Sequence, residues 1–374
     1  MLNSRAIERG AAGVYDLLGA RPVINAAGIY TDLGGSVLSP TVRAAVHEVN
    51  GTFASMTELL DRSGERLAEL LRVEAARVVP GASAGIALSV GACMTRADGP
   101  RMEQLPDTAG MRAEVLMQRG HRYKYDRCAR MTGATIVECE PGELGAALRG
   151  NVACVLHPAH LEGKDGTRPL TDVAELARVH GVPVVVDAAY MSYPPSLISS
   201  YHIQGADLVC FSAKYFWGPN AGGFVYGTRE LIDAVAKIDF TRFESGPHLI
   251  FGRAFKLDRS AVVGTVLALE EWLALDHDAR WASYRTRGER LASELGDTAS
   301  VAQFTLDERL ISEGPPNSLV VDAGGRGAEL ADELAAGNPS VVCVAMEGKL
   351  VFCLETVAEA DEPLLLERIR SVLA

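Results

Sequence analysis

The stretch ADLVCFSAKYFWGPNAGG (206–223) restricts the possible folds of this chain more than any other. Its apolar run Leu208, Val209, Cys210, Phe211 is short and unalternating, as a strand buried on both faces is, and it ends at Ser212-Ala213-Lys214. A Gly218-Pro219 turn follows, then a second apolar run, GGFVYG (222–227). So short a connection cannot make the crossover that a parallel neighbour needs, so the second strand is predicted to be antiparallel. Lys214 therefore stands just past a strand's carboxyl end, the edge where open α/β sheets carry their functional groups. Another apolar strand, VPVVVD (182–187), brings Asp187 to what should be the same edge.

Taken alone, a lysine after a strand is a solvated loop residue, and an aspartate ending a strand is common in α/β folds. Taken together, in a strand–turn–strand frame with Ser212 two residues before the lysine, they fit a narrower chemistry. A buried lysine forms a Schiff base with a carbonyl, and an acid on a neighbouring strand is what a pyridinium nitrogen requires. That pairing points to pyridoxal 5'-phosphate (PLP). Between the first core strand and its helix lies GASAG (81–85). Small residues at such a junction often serve only close packing. Beside Lys214 and Asp187 they read as a phosphate cradle at Ala82, Ser83 and Ala84, where the backbone N–H groups and the helix dipole favour an anion. Ser212 is placed to donate to the same phosphate.

In QRGHRYKYD (118–126), His121 ends the next strand. A lone histidine there can simply cap a helix; in a PLP site its flat ring would stack on the pyridine and could shuttle a proton. Of Arg122, Tyr123 and Tyr125, which follow, one could reach substrate. His157, His160 and Lys164 lie on the loop after the fourth strand and are expected to line the pocket mouth. The two histidines have no carboxylate or cysteine to complete a metal set, so no metal is predicted. Arg242, His248, Arg253 and Lys256 concentrate positive charge after the large domain. Arg253 and Lys256 are the candidate anchors for a substrate carboxylate, which arginine grips with a bidentate fork; the competing reading is a solvated linker. Tyr30, in the glycine-rich segment VINAAGIYTDLGGS (23–36), is a third substrate-binding candidate, on a segment that could cover an active site, its own or a neighbour's.

Composition narrows the classes of partner. The net charge is −12, with no dense basic run, which argues against a nucleic-acid partner. No apolar stretch approaches the length that spans a bilayer, and the N-terminus lacks the apolar core of a secretory signal. Seven scattered cysteines, without CxxC pairs, read as reduced core residues of a cytoplasmic protein.

Strands are predicted at 76–80, 113–119, 134–139, 152–157, 182–187, 206–211 and 222–226, with helices at 83–95, 121–132, 142–149 and 170–180 between several of them. Such alternation implies an α/β domain with a seven-stranded, mostly parallel sheet. Helices are also predicted at 1–20, 40–50, 56–71, 228–238, 259–275 and 278–295. A tail of strands (318–322, 340–345, 349–354) and helices (327–336, 362–373) forms a smaller α+β domain. The division expected is 1–50 as an N-terminal segment packing on the small domain and active site, 51–250 as the large PLP-binding domain, and 251–374 as the small C-terminal domain.

These residues resemble the selenocysteine synthase family (L-seryl-tRNA selenium transferase), within the aspartate-aminotransferase-type fold of PLP enzymes. The resemblance is stronger to its tRNA-independent members of the D-glucosaminate-6-phosphate ammonia lyase type. It is carried by VINAAGIYTDLGGS, GASAGIALSVGACMT, LPDTAGMRAEVLMQRGHRYKYD, VPVVVDAAY, ADLVCFSAKYFWGPNAGG and GRAFKLDRSAVVGTVLALE, between about residues 21 and 271. It implies Lys214 as the aldimine lysine, Asp187 as the ring-nitrogen partner, His121 as the stacking ring, GASAG as the phosphate loop, and a homo-oligomer (dimer or higher) with sites at its interface. Two features depart from relatives. KLVFCLETV has no arginine where aminotransferases of this fold often hold the α-carboxylate, and the short N-terminus lacks the extra domain of tRNA-binding members. The implied function is a PLP-dependent lyase or transferase acting at Cα and Cβ of an amino-acid-type substrate, by α,β-elimination or β-replacement. Racemisation or epimerisation on the same scaffold and a catalytically degenerate binding module are the alternatives; a nucleotide-binding protein would need a glycine fingerprint that is absent.

Overall fold

The structure, a computed structural model, describes residues 10–304, 310–311 and 315–374. Two compact units divide the chain: Gly35–Ala274, and the residues up to Gly34 together with Leu275–Ala374. The boundaries thus fall at 34 and 274 rather than at 50 and 250. The helix Arg259–Ala274 belongs with the larger unit because Ala261, Val262, Val266, Leu269 and Trp272 are all buried and the helix packs on the helices Pro40–Asn50 and Met56–Leu71. Arg259 Nε donates to the Val49 carbonyl at 2.6 Å, and Ser260 Oγ donates to Asn50 Oδ1 at 2.7 Å, closing the end of that packing.

Strand β1 (Val23–Asn25) lies in the smaller unit. The larger unit holds β2 (Ala75–Val79), β3 (Glu114–Gln118), β4 (Thr135–Cys139), β5 (Val152–Pro158), β6 (Val184–Asp187), β7 (Leu208–Ser212) and β8 (Gly223–Gly227). They form one sheet in the order β2-β8-β7-β6-β5-β3-β4. All seven match the strands predicted from sequence to within two residues at either end. β8 runs antiparallel to both neighbours and the other pairs are parallel, as the short Gly-Pro connection requires. Every residue of β2, β5, β6, β7 and β8 is buried, which is why these runs lack a polar face. The helix Gly81–Thr95 lies against the sheet through Ile86, Val90, Cys93 and Met94, facing Cys154, Cys210 and Val225 in one core. A helix apolar all round its circumference is stable only when buried on all sides, and here Ser83 alone is exposed.

In the smaller unit, β9 (Ala299–Phe304), β10 (Leu310–Ile311), β11 (Ser318–Asp322), β12 (Ser340–Val342), β13 (Val344–Met346) and β14 (Lys349–Cys353) follow in the chain. Five of them form an antiparallel sheet in the order β10-β9-β11-β14-β13, and β1 pairs in parallel with β12. Leu319, Val321, Leu350 and Phe352 on the sheet meet Leu334, Leu366 and Ile369 from the helices Gly327–Ala336 and Glu362–Leu373.

Two expected elements differ. Residues 121–132 are not one helix: the 3-10 turns Arg119–His121 and Asp126–Thr132 flank an extended backbone at Arg122 (φ −68°, ψ 130°), whose side chain reaches Glu138 on β4. The predicted strand 340–345 divides at Cys343, so that β12 serves β1 and β13 serves β14. The N-terminal helix is described as Gly10–Leu18; the part of the prediction covering 1–9 lies outside the described residues. No helix of the described residues is long and apolar enough to cross a membrane.

Candidate active site

Because β2, β3, β5, β6 and β7 run in one direction, the residues that follow each of them collect along a single edge of the sheet. Lys214, Asp187, Ser212, His121 and the GASAG segment all lie there. At this edge β7 gives way to the turn Ala213–Phe216. Ala213 N donates to the Gly222 carbonyl and Gly218 N to the Ala213 carbonyl, each at 2.9 Å, and Ser36 Oγ donates to the Gly218 carbonyl at 3.3 Å. Lys214 is only 7% exposed, and its Nζ stands 5.0 Å from the centre of the Tyr215 ring.

The helix Gly81–Thr95 begins at the same edge, with Gly81 at φ +78°. Its first turn leaves backbone N–H groups unpaired within the helix and presents the positive end of the dipole. A Cβ on Gly223 would stand 2.4 Å from the Phe211 carbonyl oxygen and 2.6 Å from Gly81 Cα, so only glycine lets β8 start flush against the helix start. Ser83 is exposed there, near Cys128.

Asp187 closes β6 and is 4% exposed. Ala189 N donates to its Oδ1 at 3.1 Å, and the Tyr123 hydroxyl donates to its Oδ2 at 2.5 Å. Burial pushes the carboxyl's pKa upward; the two donors and His160 act against that. The Tyr123 ring meets His160 at 5.4 Å, His160 meets Tyr190 at 5.3 Å, and Tyr190 meets Tyr215 at 5.9 Å, giving an aromatic wall that ends beside Lys214.

His121 follows β3 and is 1% exposed, its ring edge-on to His157 at 4.6 Å and 82°. Burial, with His157 beside it, lowers its pKa to about 3. Its Nε2 is buried without a hydrogen-bond partner among the described residues. His157 Nε2 is 3.0 Å from Glu162 Oε2, which also accepts from Leu170 N at 3.0 Å. That hydrogen bond to His157 is the main reason Glu162 has a lowered pKa.

The His121 shift has a consequence for stability. The ring takes up a proton readily in the unfolded chain (ordinary value 6.5) and only near pH 3 in the fold. Stability from this residue is therefore complete above pH 6.5 and is lost as the pH falls toward 3. His121→Phe is expected to flatten that acid limb, measured as the unfolding midpoint between pH 7 and pH 4. An unchanged slope would mean the ring is already protonated in the fold.

The structure gathers most of the residues expected from sequence within the larger unit and leaves Arg253 and Lys256 away from them. Arg253 is engaged with Glu244 (Nε–Oε1 2.5 Å) on an exposed surface, and Lys256 is exposed. Their segment packs through Phe251 against Gly91, about 15 Å along the helix from Gly81 at 1.5 Å per residue. Tyr30 belongs to the smaller unit. Tyr123, Tyr190, Tyr215 and the His157–Glu162 pair had no distinguishing sequence signal beyond standing close after a strand end.

The donor set suits PLP. One end offers unpaired amides and a serine for a phosphate, the other a buried carboxylate for a ring nitrogen, with a lysine and a neutral flat ring at the same sheet edge. No family model matches the chain. It is 30% identical over 349 residues to a Streptomyces protein named 5'-C-glycyluridine monooxygenase-decarboxylase, covering 87% of this chain and 83% of that one. It is 29% identical over 384 residues to the D-glucosaminate-6-phosphate ammonia lyase of Salmonella typhimurium, covering 96% and 97%. To the L-seryl-tRNA(Sec) selenium transferase of Moorella thermoacetica it is 29% identical over 252 residues, 59% of this chain and 52% of that one. A solved structure of D-glucosaminate-6-phosphate ammonia-lyase superposes with a TM-score of 0.83 at 26% identity, covering 96% of this chain and 98% of that one. On this sheet edge and these likenesses, the chain belongs to the selenocysteine synthase-like family of PLP-dependent enzymes, in the aspartate-aminotransferase-type fold.

Proposed function

We propose that this enzyme acts at Cα and Cβ of an amino-acid-type substrate, eliminating a β-substituent with release of ammonia and a keto acid, or replacing that substituent. The observation that carries the reading is Lys214 and Asp187 at the ends of adjacent strands β7 and β6, in a chain alike over nearly its whole length to an ammonia lyase. PLP, when bound, supplies an electron sink for negative charge at Cα. Lys214 would hold the cofactor through its Nζ, and the same Nζ is the base that would take the Cα proton. Asp187 keeps a proton on the ring nitrogen. His121, buried and neutral at working pH, would stack on the cofactor ring and is a second candidate for proton transfer. The first-turn amides of Ala82, Ser83 and Ala84 and the Ser212 hydroxyl hold the phosphate. Arg253 and Lys256 supply cationic groups, and Tyr30 a hydroxyl, for the substrate carboxylate. Because Arg253 and Lys256 lie away from their own chain's cradle, in this reading they serve a neighbouring copy of a homo-oligomer.

A second reading has one observation in its favour, the monooxygenase-decarboxylase among the relatives. In it the bond lost at Cα is the one to the carboxylate, with oxygen consumed. One experiment separates the two. The full chain with PLP is offered a panel of amino acids and amino-sugar acids in deuterated buffer, while ammonia, keto acid, oxygen uptake and carbon dioxide are followed. Ammonia and keto acid in equal amounts without oxygen uptake are expected. Oxygen-dependent carbon dioxide would move the assignment to the second reading. Deuterium entering Cα with inversion, and no ammonia, would replace both with racemisation or epimerisation.

A further inference from the structure

The carboxylate assigned to the ring nitrogen is not held by its own strand alone. Each Asp187 oxygen has one donor: Oδ1 takes the backbone N–H of Ala189, two residues on, and Oδ2 takes the phenol of Tyr123 at 2.5 Å. Tyr123 comes from the loop after β3, two strands away in the sheet, so this bond is long-range. Two donors on opposite oxygens fix the plane of a carboxylate that would otherwise turn about its last torsion. Each oxygen keeps a lone pair for one further donor.

We propose that Tyr123 is a positioning residue for the cofactor, holding Asp187 in one orientation and in its anionic form so that it can receive the ring N–H. The inference rests on the PLP reading of Asp187. Burial without donors would favour the neutral acid, which cannot keep a proton on a pyridine. The other groups facing Asp187 do not replace the phenol. Cys128 and Cys210 are thiols held protonated by burial, and His160 acts on Asp187 through space. Lys214, on the adjoining strand, is committed to the cofactor in this reading. Tyr123 itself stays a phenol, because burial and the Asp187 charge both push its pKa far upward.

The test uses the full chain and pyridoxamine 5'-phosphate, which carries the ring nitrogen and phosphate but cannot link to Lys214. Its dissociation constant is measured from pH 5.5 to 8.5 for wild type, Tyr123→Phe and Asp187→Asn. Ratios to wild type cancel the pH dependence of the probe. Losing one hydrogen bond to a charged group should let Asp187 take up its proton at a pH higher by about 1 or more. The affinity ratio for Tyr123→Phe should therefore be highest at the alkaline end of the range and fall toward the acid end, by up to about tenfold or more once the pH is below the Asp187 value of the wild type. Asp187→Asn should bind weakly at every pH. Should Tyr123→Phe fold poorly, 3-fluorotyrosine at position 123, a stronger donor, is expected to move the acid fall-off to lower pH. A flat ratio for Tyr123→Phe, with Asp187→Asn impaired, would overturn the role of Tyr123 and leave the PLP reading standing. Wild-type binding by Asp187→Asn would overturn both.

Discussion

Replacing Lys214 with alanine is expected to abolish covalent attachment of the cofactor and to cut turnover by about 10²- to 10⁴-fold from the lost base alone. The loss should be clean because the turn carrying Lys214 is closed by backbone bonds of Ala213, Gly218 and Gly222, none of which uses the lysine side chain. The folded chain should thus survive with its phosphate cradle, Asp187 and His121 in place, and still bind the cofactor reversibly. Borohydride treatment of the wild type, followed by peptide mapping, should place the reduced cofactor on the peptide containing Lys214. In Lys214→Ala borohydride should fix no cofactor to the chain. A reduced adduct on a different lysine, or undiminished turnover, would remove Lys214 from the mechanism.

Arg77→Ala is expected to have the largest effect on stability, about 3–5 kcal/mol, the usual cost of breaking a buried ion pair by deleting one partner. Arg77 lies mid-strand in β2 and is 2% exposed. Its Nε and Nη2 both donate to Asp239 Oδ2, at 2.9 and 2.5 Å, and its Nη1 donates to Asp61 Oδ1 at 2.5 Å. Asp239 is itself buried and caps the helix Phe240–Ser245 through Thr241 N. Without the guanidinium an anion is left in the interior with only Thr241 to answer it. Half-exposed Asp61 should matter far less, because water solvates it once the arginine is gone. Denaturant unfolding of the cofactor-free chain measures the difference. A change under about 1 kcal/mol would mean that water fills the space and that the pair is replaceable.

Arg77 also marks where the sequence could be read and where it could not. ARVV was legible as a strand from its β-branched run, and the arginine inside it carried no sign that its partner lay 162 residues on. The same holds at the cofactor edge. Lys214, Asp187 and GASAG announced themselves because each follows a short apolar run, and parallel strands put all such positions along one edge. His121 was legible for the same reason. Tyr123 was not: three polar or aromatic neighbours share its loop, and only the fold decides which of them reaches Asp187. Arg253 and Lys256 were chosen by charge, yet charge alone does not say where a loop packs. Phe251 takes that loop toward Gly91, and Arg253 finds Glu244.

The helix expected over 121–132 failed for a related reason. Its residues have no strong objection to a helix, but the extended backbone at Arg122 lets its side chain reach Glu138 on β4, a partner no local pattern names. The helix Arg259–Ala274 was placed correctly in the chain and assigned to the wrong side of a domain boundary, since an apolar face does not name the surface that will cover it.

The sequence by itself determined the seven strands of the larger unit, the antiparallel turn after Lys214, and the lysine–aspartate pair that calls for PLP. These follow from local pattern: periodicity, turn residues, and the rule that strand ends in a parallel sheet share an edge. Only the tertiary structure decided which side chains hold those groups in place — Tyr123 on Asp187, Glu162 on His157, Asp239 on Arg77. Hydrogen bonds and ion pairs between distant segments depend on distances of a few tenths of an ångström. Those distances are set by how the layers pack, which the composition of any one segment does not encode.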